Sequence, residues 1–237
     1  MTREGHRPHE PTRCDDTGKE HHTLKPVPDG PPPAPVVQRL RVRYAKRGRL
    51  RFTSHRDISR AVERAVRRAG IPVAFSAGFT PHPKISYAGA APTGVASEAE
   101  YLEISVTRHC DPKRLRDDLD ASLPGGLDVL EVVEAHGGSL ADRLECSEWE
   151  VRLPGADPAA AREAAERFLA ADRVEVERLT KKGLRRFDAR GAVETLTVAE
   201  GTGETAGQEH ARPCAILRMV VRHLVPAVRP DDVLTGL

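Results

Sequence analysis

The chain has 237 residues, 37 Lys or Arg against 35 Asp or Glu, and a formal net charge of +2. That length allows one large domain or two small ones, and no internal repeat divides it into a solenoid. No stretch is apolar for long enough to span a bilayer, and Cys14, Cys110, Cys146 and Cys214 lie too far apart for a zinc cluster or a secreted disulfide framework.

Residues 1–37 hold eight of the nineteen prolines and four of the ten histidines, with almost nothing apolar to bury. Ordering such a segment costs backbone entropy with no compensating burial, so a disordered tail is expected. It lacks the apolar run of a secretory signal, and a cytoplasmic protein is expected.

From Arg39 the residues alternate: Leu40, Val42 and Tyr44 are apolar, and Arg39, Arg41 and Arg43 are basic. This period of two predicts a half-buried strand. Alternation resumes after Lys46-Arg47-Gly48, with Leu50 and Phe52 on one side and Arg49 and Arg51 on the other, predicting a hairpin with an arginine face. Ser54 and Asp57 then have capping-box spacing, and Gly70 supplies a left-handed stop before Ile71-Pro72. Between them Ile58, Ala61, Val62, Ala65, Val66 and Ala69 share one helical side, opposite Arg56, Arg60, Glu63, Arg64 and Arg67.

Further along, Val73 to Phe75 reads as a short strand and GFTPHPK as a loop. Strands are expected at Lys84–Ala90, Ala99–Val106 and Leu127–Glu134, with a helix at Pro112–Leu123. A second unit then has a strand at Glu148–Leu153, a helix at Asp157–Ala171, strands at Val174–Leu179, Arg186–Ala189, Ala192–Val198 and Ala215–His223, and a polar loop at Gly201–Arg212. In the first unit the order is βαββαβ. The expected fold is therefore α+β, with two ferredoxin-like modules packed together, residues 38–146 and 147–237, behind the disordered tail.

The near-neutral total hides a segregation of charge. Gln38 to Gly70 holds twelve Lys or Arg against two acidic residues, whereas Ile71 to Glu150 holds six against fourteen. A local excess of positive charge attracts polyanions even in a nearly neutral molecule.

The strings RVRYAKRGRLRFTSH, ERAVRRAG, GFTPHPK, the Gly94, Ser97 and Glu100 pattern, KKGLRRFDAR and RPDDVL closely resemble the radical-SAM-linked protein family. These are uncharacterised bacterial proteins fused to, or encoded beside, a radical S-adenosylmethionine protein, sometimes near ribonuclease E/G genes. The likeness runs from Val37 to the C-terminus and departs at Arg56 and Ala189, where the family has an apolar and a larger aliphatic residue. It implies a separately encoded radical SAM partner. The chain itself has no C-x3-C-x2-C cluster motif, so radical chemistry would belong to that partner.

Two constellations are candidates for function. Arg41, Arg43, Arg49, Arg51, Arg56, Arg60, Arg64 and Arg67, with Lys84 and a second cluster at Lys181, Lys182, Arg185 and Arg186, form an expected track for phosphates. With Tyr44 and Phe52 alternating into the core, backbone recognition is expected over base stacking. The other constellation is His55 with His82. On the helical wheel His55 shares the side of Ile58 and Val62 and is expected to point inward, while His82 is held between two prolines. If they converge, the two imidazoles can act as general acid and base on a ribose-phosphate.

Glu100 is expected to cap a turn or to pair with Lys84 or an arginine, and RPDDVL reads as a helix start. No metal site and no cofactor is expected. The leading expectation is an RNA-binding accessory protein presenting transfer or ribosomal RNA to its partner. The alternatives are a metal-independent RNA-processing enzyme using His55 and His82, and a protein-binding scaffold.

Overall fold

The computed structural model describes residues 32–181, 183–203 and 212–237. Residues 1–31 of the expected tail, Lys182 and most of the expected loop at Gly201–Arg212 lie outside the described residues. The chain is mixed α+β. Its first half runs β1 (Gln38–Lys46), α1 (His55–Arg68), β2 (Ile85–Ala88), β3 (Ser97–Val106), α2 (Pro112–Asp120) and β4 (Leu127–Glu134).

As its alternation predicts, β1 buries Leu40, Val42 and Tyr44 and turns Arg39, Arg41 and Arg43 to the opposite face. The expected hairpin does not form. Both edges of β1 are occupied by distant antiparallel strands, β3 setting Arg41 opposite Glu103 and β4 setting Arg43 opposite Glu131, in a sheet of order β2-β3-β1-β4. With no free edge beside it, Gly48–Phe52 closes as a 3-10 turn entered through Gly48 at φ +54°. Phe52 leaves the core and is 60% exposed, correcting its expected placement.

The helix α1 forms where the pattern predicts. Ser54 Oγ accepts from the Asp57 N–H at 3.2 Å and donates to the Asp57 carboxylate at 2.7 Å, and Gly70 terminates the helix at φ +64°. Ile58, Val62, Ala65 and Val66 are buried against the apolar face of the sheet, which also packs on Leu115 and Leu119 of α2. Burial of each of the larger aliphatic side chains contributes about 1.5–3 kcal/mol. Asp111 caps α2 by accepting from Lys113 N–H at 2.7 Å, and α2 ends three residues before the expected Leu123.

The second half has a different sheet order. It runs β5 (Cys146–Pro154), α3 (Pro158–Ala170), β6 (Glu175–Thr180), β7 (Gly183–Asp188), β8 (Val193–Gly203), β9 (Arg212–Arg222) and α4 (Pro230–Gly236). A three-stranded sheet β5-β9-β8 stands beside a separate β6-β7 hairpin, so the four-stranded sheet of a second βαββαβ unit is not seen. Phe168, Phe187, Leu217, Met219 and Val233 form a core distinct from that of the first half. Asp232, nearly buried, accepts from Arg178 at 2.7 Å and from the Arg229 N–H at 2.7 Å, so RPDDVL both starts α4 and ties it to β6.

The two cores make a quantitative expectation. Leu102→Ala, at 1% exposure, lowers the free energy of urea unfolding by about 2–5 kcal/mol, whereas Leu179→Ala, at 80% exposure, changes it by no more than about 0.5 kcal/mol. Equal shifts for the two would refute these burial assignments.

Candidate nucleic-acid interface

The structure divides the expected arginine ladder into two chemically different groups. Those on β1 are partnered by acids of its neighbours. Arg41 is largely buried; its Nε donates to Glu103 Oε2 at 3.1 Å, Nη1 to the His136 carbonyl at 3.2 Å and Nη2 to the Gly138 carbonyl at 2.6 Å. Arg39 shares Glu103 at 3.5 Å, and Arg43 faces Glu131 at 3.5 Å. Sheet pairing therefore sets acids of the following segment against β1; Arg41 is committed to the fold, while Arg39 and Arg43 stay partly exposed in weak surface pairs. Arg41 and Arg43 also border a shallow hollow of about 290 Å³ on the sheet face away from the helices, with Tyr101, Val133 and Arg143.

The remaining group stays outward. Arg49 and Arg51 on the 3-10 turn and Arg56, Arg64 and Arg67 on α1 are exposed and make no ion pair among the described residues. Arg60 pairs with Asp57 at 3.6 Å, with both side chains more than half exposed, which leaves its charge largely available. Arg56, Arg60, Arg64 and Arg67 succeed one another at intervals of four, four and three residues on the outer helical face. At about 1.5 Å rise per residue they are spaced roughly 4.5–6 Å apart along the helix axis, one near each turn.

Lys84 is exposed, and its backbone N–H bonds the Ala74 carbonyl at 2.7 Å. Lys181 and Arg185 are exposed on the β6-β7 hairpin, which packs on the other core, while Arg186 pairs with Glu177. Lys182, the other member of that cluster, lies outside the described residues.

His55 is exposed rather than inward. As the first residue of α1 its side chain leans back past the helix end, where its ring meets the edge of Tyr87 at 5.0 Å and 87°. His82 is also exposed, in a loop closed by the Phe75–Pro83 bridge and by backbone and side-chain hydrogen bonds with Ser76. Tyr87 is near the far end of β2 from this loop. No hydrogen bond or ring contact joins the two imidazoles among the described residues, and neither lines the hollow beside Arg41 and Arg43 or the one beside Arg64.

Sequence reasoning treated Lys46 as part of a turn and missed its role. Lys46 is 1% exposed, and its Nζ donates to the carbonyls of Ala91 at 3.0 Å and Pro92 at 3.2 Å. Glu100, also buried, accepts from the Ala91 N–H at 3.1 Å, so it caps the turn instead of pairing with Lys84. The two side chains clamp the small-residue loop 89–95 onto the sheet. Gly94 of that loop donates to the Arg51 carbonyl at 2.7 Å and so fixes the 3-10 turn.

Burial, with the nearby Glu100 carboxylate, raises the Tyr44 phenol above its ordinary range. Burial likewise pushes Tyr87 up to about 12; its hydroxyl is buried without a hydrogen-bond partner, although Ser59 stands close by. Burial pushes the Cys110 thiol up, against reactivity. Glu98 is held below the usual carboxylate range chiefly by its hydrogen bonds with Arg47, at 2.6 Å from Nε. No group of three His, Cys, Asp or Glu among the described residues could hold a metal ion.

These features define an α+β protein with an outward line of arginines on one helix and no helix among the described residues long and apolar enough to cross a membrane. Residues 39–230 match the family model described as "Uncharacterized protein conserved in bacteria (DUF2344)", and the chain belongs to that family. No curated protein matches it.

Arg41→Ala leaves the largely buried Glu103 with only its longer contact to Arg39, and is expected to lower unfolding free energy by about 1.5–3 kcal/mol. Arg64→Ala leaves it within about 0.5 kcal/mol. Chemical denaturation of the two variants checks the division of the ladder, and a destabilised Arg64 variant with a stable Arg41 variant would reverse it.

Proposed function

We propose that this chain is a non-catalytic RNA-binding accessory protein that uses the outer face of α1 and the adjoining 3-10 turn to hold RNA. The observation that carries the reading is the line of exposed arginines at Arg56, Arg60, Arg64 and Arg67, continued by Arg49 and Arg51, among which Asp57 and Glu63 are the two acids of the segment. Guanidinium groups so spaced bind successive phosphates and release counterions, a recognition that depends on backbone and shape rather than sequence. The partner in this reading is a separately encoded radical SAM protein, as the family resemblance implies, acting on transfer or ribosomal RNA in the cytoplasm. The chain presents the RNA, and the partner supplies the chemistry.

In the same reading the first half, residues 38–146, is a ferredoxin-like module. Its βαββαβ order and its antiparallel sheet β2-β3-β1-β4 support this. Residues 147–237 form the second module, supported by their separate core. Catalysis by His55 and His82 requires both imidazoles on one substrate, and no geometric observation favours that. A scaffold for an acidic protein is separated from RNA binding by nuclease treatment before pull-down, which a direct protein contact survives.

A titration with structured RNA at low and moderate salt tests the proposal. Binding is expected to weaken steeply with salt, and replacing Arg56, Arg64 and Arg67 together by Ala reduces the slope of log affinity against log salt by roughly 2–3. Absent or salt-independent binding overturns the reading.

A further inference from the structure

We infer that Phe52, backed by Arg51, is a stacking platform for one unpaired base of the bound RNA. The inference rests on the proposed RNA-binding function and names the part of the RNA that the end of the arginine line meets.

The argument begins with burial. Of the five phenylalanines, Phe168 and Phe187 are in the core, while Phe52, Phe75 and Phe79 are 60%, 43% and 72% exposed. A single exposed ring is ordinary on a protein surface, so what distinguishes Phe52 is its place beside the charge track. Phe75 and Phe79 belong to the loop before β2. Phe52 is four residues from Arg56, where the α1 line begins, and the Arg51 guanidinium lies 4.6 Å from its ring centroid.

The platform is also held in place. The Arg51 carbonyl is bonded by Gly94, whose loop is clamped by Lys46 and Glu100, so the backbone bearing Phe52 is fixed before any ligand arrives. Aromatic and guanidinium planes next to a cationic groove are the chemistry that holds nucleobases through their faces. A base inside a duplex has both faces covered. The occupant is therefore an unpaired nucleotide adjoining a stem, its phosphates carried on α1 and its base on Phe52.

The test uses two RNAs: a blunt hairpin, and the same hairpin carrying an unpaired 2-aminopurine tail. The tailed RNA is expected to bind about tenfold tighter, the size of one base–aromatic stack, with quenching of the 2-aminopurine emission. Phe52→Ala brings the tailed RNA to the blunt affinity and abolishes the quenching, while blunt binding and its salt slope are unchanged. Phe52→Trp keeps the preference. Because Phe52 is exposed, the Ala variant keeps the wild-type circular dichroism spectrum and unfolding midpoint. Equal affinity of the wild type for the two RNAs, or a preference that Phe52→Ala leaves intact, overturns the platform with the electrostatic reading still standing. Binding of neither RNA at low salt overturns the proposed function, and the platform falls with it.

Discussion

The occupancy of both edges of β1 is the constraint from which the rest of the first half follows. A strand flanked on both edges by β3 and β4 offers no free edge, so the next residues in sequence cannot pair with it. They turn away as a 3-10 segment and carry Arg49, Arg51 and Phe52 outward. The same pairing carries Glu103 and Glu131 to the arginines of β1. One topological fact thus both removes cations from the solvent face and delivers others to it.

A charge count along the chain measures something different from the field at the surface. Twelve basic residues in 38–70 look like one patch, but each nitrogen of Arg41 donates once, to Glu103 or to one of two carbonyls, and Lys46 is inside the protein. Only charges that keep their hydration and lack a fixed counterion can exchange a counterion for a phosphate. By that measure the electrostatic surface is the 3-10 turn and one side of α1. The strand arginines contribute to cohesion, where a lost partner leaves a desolvated charge.

The elements legible from the sequence were those whose determinants are local. Ser54 and Asp57, the spacing of Ile58, Val62 and Val66, and Gly70 define α1 without reference to any other segment, and the alternation of β1 and the bounds of β4 are local in the same sense. The second strand of the hairpin failed because Arg49 to Phe52 alternates correctly but finds no edge, and edge availability is a long-range property. His55 was misplaced because a helical wheel describes residues inside a helix, and a first-turn side chain has no turn beneath it to pack on. Lys46 gave no local signal at all. Its burial depends on the carbonyls of Ala91 and Pro92, forty-five and forty-six residues away.

The clamp of Lys46 and Glu100 shows how such long-range polar contacts serve the surface. Two buried ionisable groups are costly unless their hydrogen-bonding capacity is used, and here it is used on the backbone of a loop rich in Gly and Ala. That loop has few side chains with which to pack itself, so its position is set by the clamp, and through Gly94 it sets Arg51 in turn. The exposed turn is thereby tied to the sheet through one chain of hydrogen bonds, and part of the entropy of ordering it is met by folding instead of by binding. Core polarity and surface recognition are in this way two ends of a single chain of hydrogen bonds.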